Sequence, residues 1–257
     1  REARIWGKVC APNLVRLRDC GETEDGLLFM ALEHVQGAPL DVVAKAGPMA
    51  PARAVEITRQ VCTALDHAHS EGVVHRDLKP GNVIIERDDE DDAETARVLD
   101  FGLAKVLRGD ASQSLTALTQ QNMVFGTPEY MAPEAARGDD VDARSDVYAA
   151  GIILYELVTG SVPFGGNNPI AIMTAHLTDT VIAPSERAPN AGIGPALDAV
   201  VMHALAKKPE DRYPSAAALS AALAQAMHSP RDVASTRPPP SDQQLGTRDT
   251  ELSLGPP

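Results

Sequence analysis

The chain has 257 residues, of which 44% are hydrophobic, so it can form one large domain or two small ones with a buried core. Its formal net charge of −13 argues against nonspecific nucleic-acid binding, because phosphate contacts need clustered Lys and Arg. Cys10, Cys20 and Cys62 fit neither a disulfide framework nor a paired zinc spacing, which favours reduced thiols in a cytosolic setting. The longest apolar run, at 149–158, is too short to cross a bilayer, and no signal peptide is visible. We therefore expect proteins or small ligands as partners.

Short strands separated by charged turns are predicted in the first part of the chain. Apolar residues at helical spacing indicate helices, and short apolar runs between turn residues indicate strands. In chain order, the predicted elements are a helix over 1–9, strands over 14–17 and 27–33 around GETEDG, a helix over 51–69 opened by Pro51, and strands over 83–85 and 97–101 around ERDDEDDAET.

Helices dominate from about residue 145 onward. The stretch SDVYAAGIILYELVTG at 145–160 is apolar nearly all round, which predicts a buried central helix. Further helices are predicted over 195–207 and 214–227. Beyond 229, proline and polar residues leave too little to bury, so we expect this tail to be disordered. Strands placed before a long helical half indicate an α+β fold class.

The sequence HRDLKPGN at 75–82 places three complementary polar side chains on one short loop. Asp77 is a proton acceptor, Lys79 a point cation and Asn82 a neutral oxygen ligand. Phosphoryl transfer needs this mixture, because the attacking hydroxyl must lose its proton, the phosphoryl charge must be neutralised and Mg²⁺ must be held by oxygen atoms. The loop therefore predicts phosphoryl-transfer chemistry.

Two further motifs follow in the order expected of one enzyme family. DFG at 100–102 comes after a predicted strand, and GTPEYMAPE occupies 126–134. HRDLKPGN, DFG and APE in this order resemble the signature set of the eukaryotic-like protein kinases. Lys79 is typical of the serine/threonine branch, and phrases such as ALDHAHSEGVVHRDLKP look most like its bacterial members. The resemblance covers about residues 1–228.

The resemblance implies a two-lobed α+β protein-kinase fold with an incomplete small lobe and a complete, mainly helical large lobe. By this resemblance, 1–35 is a remnant of the small lobe with the hinge, 36–228 is the large lobe and 229–257 is the tail. The implied function is transfer of the γ-phosphoryl group of ATP to serine or threonine in a protein substrate.

The family pattern assigns chemical roles to matching residues. Asp77 resembles the catalytic base, and Lys79 resembles the residue that contacts the γ-phosphate. Asn82 and Asp100 resemble the two side chains that bind Mg²⁺. The implied cofactors are therefore ATP and Mg²⁺.

Other matches are implied to support the catalytic loop. Arg76 resembles the arginine of kinases switched by phosphorylation, although an ordinary ion pair is equally consistent with its position. His75 and Phe101 resemble members of the hydrophobic stack between the lobes. The scaffold positions are Asp146, which resembles the aspartate that holds the catalytic loop, and Glu134 and Arg212, which resemble a buried ion pair.

The adenine site is implied by FMALEHVQG and by the strand after the catalytic loop. Leu32 resembles the residue that guards the back of the pocket. Glu33 to Val35 are expected to offer backbone hydrogen bonds to the base, and Ile84 to pack beneath its ring.

Regulatory positions are implied between the DFG and APE motifs and near the start of the chain. We expect Thr116 or Thr119 to be the regulatory phosphosite, and Thr127 to hydrogen-bond toward Asp77 and Lys79. Glu2, in REAR, resembles the helix glutamate that pairs with a strand lysine.

That lysine and the glycine-rich loop are missing from the first 74 residues, whose lysines, Lys8 and Lys45, are not placed for the role. We therefore expect the chain to be a fragment that is weakly active or inactive alone. The alternatives are a naturally shortened, noncatalytic kinase-like protein and a scaffold module whose acidic surface recruits basic partners. The catalytic domain is expected in the cytoplasm, with no membrane segment inside this chain.

Overall fold

The computed structural model describes residues 11–88, 90, 92–99 and 127–228. The predicted helix over 1–9 and the tail beyond 229 lie outside the described residues, as does the end of the strand predicted over 97–101. The domain boundaries at 35 and 228 stay predictions.

An antiparallel hairpin stands at the start of the described chain. It consists of β1 (Leu17–Glu22) and β2 (Leu28–Leu32). The connecting turn is fixed by the Thr23 hydroxyl, which accepts a hydrogen bond from the Leu27 amide at 3.1 Å, and by Gly26 at φ +81°. The strand predicted over 14–17 therefore begins three residues late and runs into GETEDG.

The reason for that shift lies at the end of a distant strand. The Val98 amide donates to the Asn13 carbonyl at 2.8 Å, and the Val15 amide donates to the Val98 carbonyl at 3.0 Å. Because the Asn13 carbonyl and the Val15 amide are already bonded to Val98, and the Leu14 amide to Ala11, these groups are not available to the β1–β2 hairpin.

A second sheet has the strand order β3 (Ala38–Pro39), β4 (Val83–Arg87) and β5 (Glu94–Val98), all antiparallel. The strand predicted at 97–101 thus begins earlier, inside the acidic stretch. Glu94 can lie there because Arg53 donates two hydrogen bonds to its carboxylate, at 2.7 and 2.8 Å. Arg87 adds a third at 2.9 Å.

The rest of the described chain is mainly helical. The helices are α1 (Leu40–Ala44), α2 (Pro51–Ser70), α3 (Pro133–Arg137), α4 (Ala143–Thr159), α5 (Pro169–Thr178), α6 (Pro184–Arg187), α7 (Pro195–Ala204) and α8 (Ala216–His228). Short 3₁₀ turns lie at Pro80–Asn82, Pro128–Tyr130 and Pro209–Asp211. Proline opens α2, α3, α5, α6 and α7, where its missing N–H costs nothing. The short helices α1, α3 and α6 and the longer α5 had no counterpart among the predicted elements.

The helix α4 is the centre of the core, as its all-round apolar sequence predicted. Most of its residues are buried, and it packs against α2, α7 and α8. Asp142 caps its first turn by accepting the Arg144 amide at 2.8 Å, and Gly160 ends it in the left-handed region at φ +78°. The loop at 75–82 is bound to this helix through Asp146.

The predicted α+β class is confirmed, with small sheets in the first part and a helical second part. Cys20 and Cys62 are free thiols within the described residues, and burial raises the pKa of Cys62 to about 12. None of the described helices combines the length and the apolar character needed to cross a membrane.

Gly37 allows close contact between the chain after β2 and the strand β4. A Cβ atom added there would lie 2.3 Å from the Ile85 carbonyl oxygen and 2.8 Å from Ile84 Cγ2. Backbone oxygen cannot yield as a flexible side chain can, so a methyl group forces the two segments apart.

We expect Gly37→Ala to lower the free energy of unfolding by about 1–3 kcal/mol through this overpacking. Urea denaturation of the variant measures the loss. Gly81→Ala is the matched control, because a Cβ there meets nothing within 4 Å. Equal stability of the two variants would contradict the close approach.

Candidate active site

The loop at 75–82 follows α2 and ends in a 3₁₀ turn before β4. Gly72, at φ +76°, reverses the chain after α2, and the Val73 amide donates to the Ala68 carbonyl at 2.9 Å. The Asn82 amide donates to the Lys79 carbonyl at 2.9 Å and closes the 3₁₀ turn. Both ends of the loop are thus fixed to regular structure.

The buried carboxylate of Asp146 holds the start of the loop. It accepts the His75 amide at 2.8 Å and the Arg76 amide at 3.0 Å, each on a different oxygen. Arg76 has φ +66°, a left-handed conformation that costs a non-glycine residue of order 1 kcal/mol or more. The two hydrogen bonds keep the backbone in that conformation, and the carboxylate has the place predicted from the kinase resemblance.

His69 is a third donor group on Asp146 that the sequence did not reveal. Its Nε2 lies 2.7 Å from Asp146 Oδ2, and its side chain is 9% exposed. No local pattern could identify this contact, because its partner lies 77 residues away in the chain.

His75 is fully buried behind the loop and links it to the residue before the DFG motif. Its Nδ1 accepts the Asp77 amide at 3.3 Å, and its Nε2 lies 2.9 Å from the Leu99 carbonyl. An accepting Nδ1 means that the proton sits on Nε2, which donates to Leu99. Burial lowers the pKa of His75 more than the negative charge of Asp146 raises it. The ring is therefore neutral, in agreement with these hydrogen bonds.

The three polar side chains predicted to do chemistry lie together. Lys79 Nζ is 3.0 Å from Asp77 Oδ2, and Asn82 Nδ2 donates to the Asp77 carbonyl at 2.8 Å. The side chain of Asp77 is 39% exposed, so a substrate hydroxyl can reach it. The Leu99 amide donates to the Asn82 carbonyl at 2.8 Å, which places the residue before Asp100 beside Asn82.

The residues predicted to surround adenine lie in β4 of the second sheet, at the end of β2 and in the segment that follows β2. Ile84 lies in β4 and pairs with Pro39 and Arg97. Leu32 ends β2 and is exposed, and Val35 is half-buried in the segment that follows.

Glu33 is engaged through both its backbone and its side chain. Its amide donates to the Arg16 carbonyl at 2.9 Å, which leaves its carbonyl as the backbone group for a ligand. Its carboxylate accepts Arg97 Nη2 at 2.6 Å and the Arg16 amide at 2.9 Å. Burial raises the pKa of Glu33, but these hydrogen bonds outweigh it and hold the pKa below the usual range.

Glu134 and Arg212 form a buried, two-pronged ion pair. Arg212 Nη1 and Nη2 donate to the two carboxylate oxygens at 2.8 and 2.7 Å, and the Ser145 hydroxyl donates to the same carboxylate. Arg212 also donates to the carbonyls of Ala206, Arg144 and Lys207. Burial raises the pKa of Glu134, but these bonds outweigh it and keep the group ionised.

Thr127 comes directly before the 3₁₀ turn Pro128–Tyr130, and its carbonyl accepts the Tyr130 amide at 3.2 Å. The described contacts contain no hydrogen bond from Thr127 to Asp77 or Lys79, so that role stays a prediction. Tyr130 instead donates from its hydroxyl to Glu156 at 2.5 Å, a link from this segment to α4 that the sequence did not indicate.

Several predicted residues lie outside the described residues, and their roles stay predictions. They are Glu2, Asp100, Phe101, Thr116 and Thr119.

Comparison with known proteins identifies the family. Residues 1–224 match the family model described as "Protein kinase domain". The chain belongs to the protein kinase domain family. This kinase domain is 44% identical over 225 residues to the serine/threonine-protein kinase pkn3 of Myxococcus xanthus, covering 87% of this chain and 40% of that protein. It is 40% identical over 258 residues to the serine/threonine-protein kinase PknB of Mycobacterium leprae, and the match covers 99% of this chain and 38% of that protein.

The predicted resemblance to bacterial serine/threonine kinases is thereby confirmed, and the chain spans about two fifths of the length of these relatives. Among solved structures, the kinase domain resembles the crystal structure of Rad53 1-466 in complex with AMP-PNP. The TM-score is 0.68 at 28% identity, over 86% of this chain and 52% of that one. The predicted kinase fold is therefore confirmed.

We expect Arg212→Met to destabilise the domain by about 3–5 kcal/mol at neutral pH, because Glu134 is left charged and buried without its partner. The pKa of Glu134 is depressed in the native state, so the stabilisation is present above its ordinary value of 4.5 and lost as the pH falls below it. The difference from the parent protein, measured by urea unfolding, should therefore be largest near neutral pH and narrow as the pH is lowered below 4.5.

Arg137→Met provides the control for this experiment. Its partner Asp139 lies 2.6 Å away, but both side chains are exposed, so the expected cost is below about 1 kcal/mol. A loss for Arg212→Met as small as that of the control would contradict the account of the buried pair.

Proposed function

We propose that this chain is the catalytic part of a serine/threonine protein kinase that transfers the γ-phosphoryl group of ATP to a protein hydroxyl. The observation that carries the proposal is the arrangement of Asp77, Lys79 and Asn82 on a loop anchored by Asp146. Membership of the kinase family and its serine/threonine kinase relatives support it.

Asp77 is proposed to orient the substrate hydroxyl and accept its proton. In the structure, Lys79 Nζ donates a hydrogen bond to Asp77 Oδ2 at 3.0 Å. An arriving γ-phosphate attracts the same ammonium group, because its charge is greater than that of one carboxylate. Lys79 would then face the phosphate and leave a carboxylate oxygen of Asp77 for the hydroxyl.

Asn82 and Asp100 are proposed to hold Mg²⁺, with Asp100 outside the described residues. The chemistry of Asn82 fits this role, because its amide nitrogen donates to the Asp77 carbonyl and its oxygen Oδ1 is the atom left for a cation. Bound Mg²⁺ would neutralise phosphate charge during transfer. The position of Asn82 is set by the same bond that shapes the loop around Asp77.

The adenine base is proposed to lie against Ile84, between it and the segment of Glu33 to Val35. Support comes from the relative Rad53, whose crystal structure is described as a complex with AMP-PNP. The Glu33 carbonyl is proposed to accept a hydrogen bond from the base, since the Glu33 amide is taken by Arg16. Leu32 is proposed to border the pocket behind the base.

Arg76 is proposed to pair with a phosphate on the segment between DFG and APE. Its backbone is fixed by Asp146, while its side chain is exposed. Among the residues that the structure describes, no carboxylate lies within 4.0 Å of the Arg76 guanidinium. This favours pairing with a phosphate over an ordinary ion pair. The phosphorylated residue is proposed to be Thr116 or Thr119.

The proposal is tested by Asp77→Asn in the natural full-length protein. We expect the rate of phosphate transfer from Mg-ATP to casein to fall by about 10²–10⁴-fold, because the amide cannot accept the hydroxyl proton. The KM for ATP should change little. The measurement is the incorporation of labelled phosphate from γ-labelled ATP.

Asp139→Asn is the matched control, since it removes an exposed carboxylate on the surface of the same domain. It should leave the rate unchanged. Equal rates for Asp77→Asn and the parent protein would overturn the mechanism.

A further inference from the structure

Arg97, in β5, contacts the segment before the β1–β2 hairpin and the residue directly after it. Its Nη1 donates to the Pro12 carbonyl at 2.6 Å, and its Nη2 donates to the Glu33 carboxylate at 2.6 Å. Pro12 precedes β1 and Glu33 follows β2. One guanidinium group therefore holds the two segments by which the hairpin joins the rest of the molecule.

The carboxylate of Glu33 is a fixed partner for this arginine. The amide and carbonyl of Arg16 bind the side chain and the amide of Glu33, both at 2.9 Å. These bonds orient the carboxylate independently of Arg97. Because Arg16 already holds Glu33, the contact between Arg97 and Glu33 fixes the end of the hairpin relative to β5.

Arg97 also lies on the face of the second sheet that carries Ile84. The two residues are direct cross-strand partners, and such partners point to the same side of an antiparallel pair. The sequence neighbours of Arg97, Ala96 and Val98, are buried on the opposite face. Arg97 thus lies beside the proposed floor of the adenine site while it binds the proposed hinge at Glu33.

We propose that Arg97 is a positioning residue for the adenine nucleotide. Its guanidinium fixes the Glu33 end of the hinge at a set distance from Ile84, so that the two surfaces that contact the base are aligned before the nucleotide binds. This inference rests on the proposed function and extends it to a residue outside the kinase motifs. Loss of the guanidinium frees the hinge without touching Asp77 or Asn82, so binding weakens while transfer from the bound nucleotide continues.

The test uses Arg97→Met and Glu33→Gln in the natural full-length protein. We expect the Kd for AMP-PNP, measured by titration calorimetry, to rise about tenfold in Arg97→Met, because a preorganised surface must now be ordered on binding. The KM for ATP should rise in parallel, and kcat at saturating ATP should stay within about twofold of the parent value. Arg97→Lys should recover part of the affinity, since an ammonium group can bind one of the two acceptors at a time.

The double variant adds a second criterion. Arg97→Met combined with Glu33→Gln should bind AMP-PNP about as weakly as Arg97→Met alone, because Glu33→Gln changes only a contact that Arg97→Met has already removed. Additive losses would indicate two independent effects and overturn the inference.

Arg53→Met is the matched control. Arg53, in α2, binds Glu94 at 2.7 Å, and Glu94 lies in β5, the strand that also contains Arg97. The Glu94 side chain is 16% exposed, and that of Glu33 is 17% exposed. This variant should lose similar stability but keep the parent Kd. Unchanged affinity in Arg97→Met, or equal weakening in Arg53→Met, would overturn the inference. Failure of the parent protein itself to bind AMP-PNP would instead count against the proposed function.

Discussion

The contact between a buried carboxylate and two backbone amides supports the rest of the candidate site. Asp146 lies in the first turn of the central helix and binds the amides of His75 and Arg76. The left-handed backbone at Arg76 is unfavourable for arginine, and the hydrogen bond to this carboxylate helps to hold it. Asp77 follows directly in the chain, and its position relative to Lys79 and Asn82 depends on that turn. The position of a buried helix residue thereby determines where Asp77, the proposed catalytic base, lies.

A second constraint acts at the other side of the loop. His75 contacts the Leu99 carbonyl, and the Leu99 amide binds the Asn82 carbonyl. The loop and the end of β5 are thus joined by hydrogen bonds between uncharged groups. Two residues before Leu99, Arg97 joins β5 to the end of the first hairpin through its ion pair with Glu33 at 2.6 Å. The strand β5 therefore connects the loop at 75–82, Glu33 after β2 and the segment before β1.

Features with local signals could be predicted from the sequence, and the distant contacts of Asp146 and of the Glu134–Arg212 pair were implied by the family resemblance. Distant contacts that neither a local pattern nor the resemblance marks could not be predicted. The buried helix at 143–159 and the helix at 51–70 follow from apolar spacing, and the set Asp77, Lys79 and Asn82 follows from one short motif. The first strand was misplaced because residues expected in it are bonded to β5 instead. The Asn13 side chain likewise donates to the Ala96 carbonyl of β5, 83 residues away in the chain. The roles of His69 and Arg97 were missed because their partners lie 77 and 64 residues away.

The central claim is that the Asp146 carboxylate fixes the loop, and amide hydrogen exchange at His75 and Arg76 in Asp146→Asn tests it most directly. The amide of asparagine presents only one acceptor oxygen, so one of the two bonds is lost. The account predicts that at least one of these amides exchanges about 10–100-fold faster, while Ile152 in the middle of α4 stays protected. Unchanged protection at both His75 and Arg76 would contradict the account.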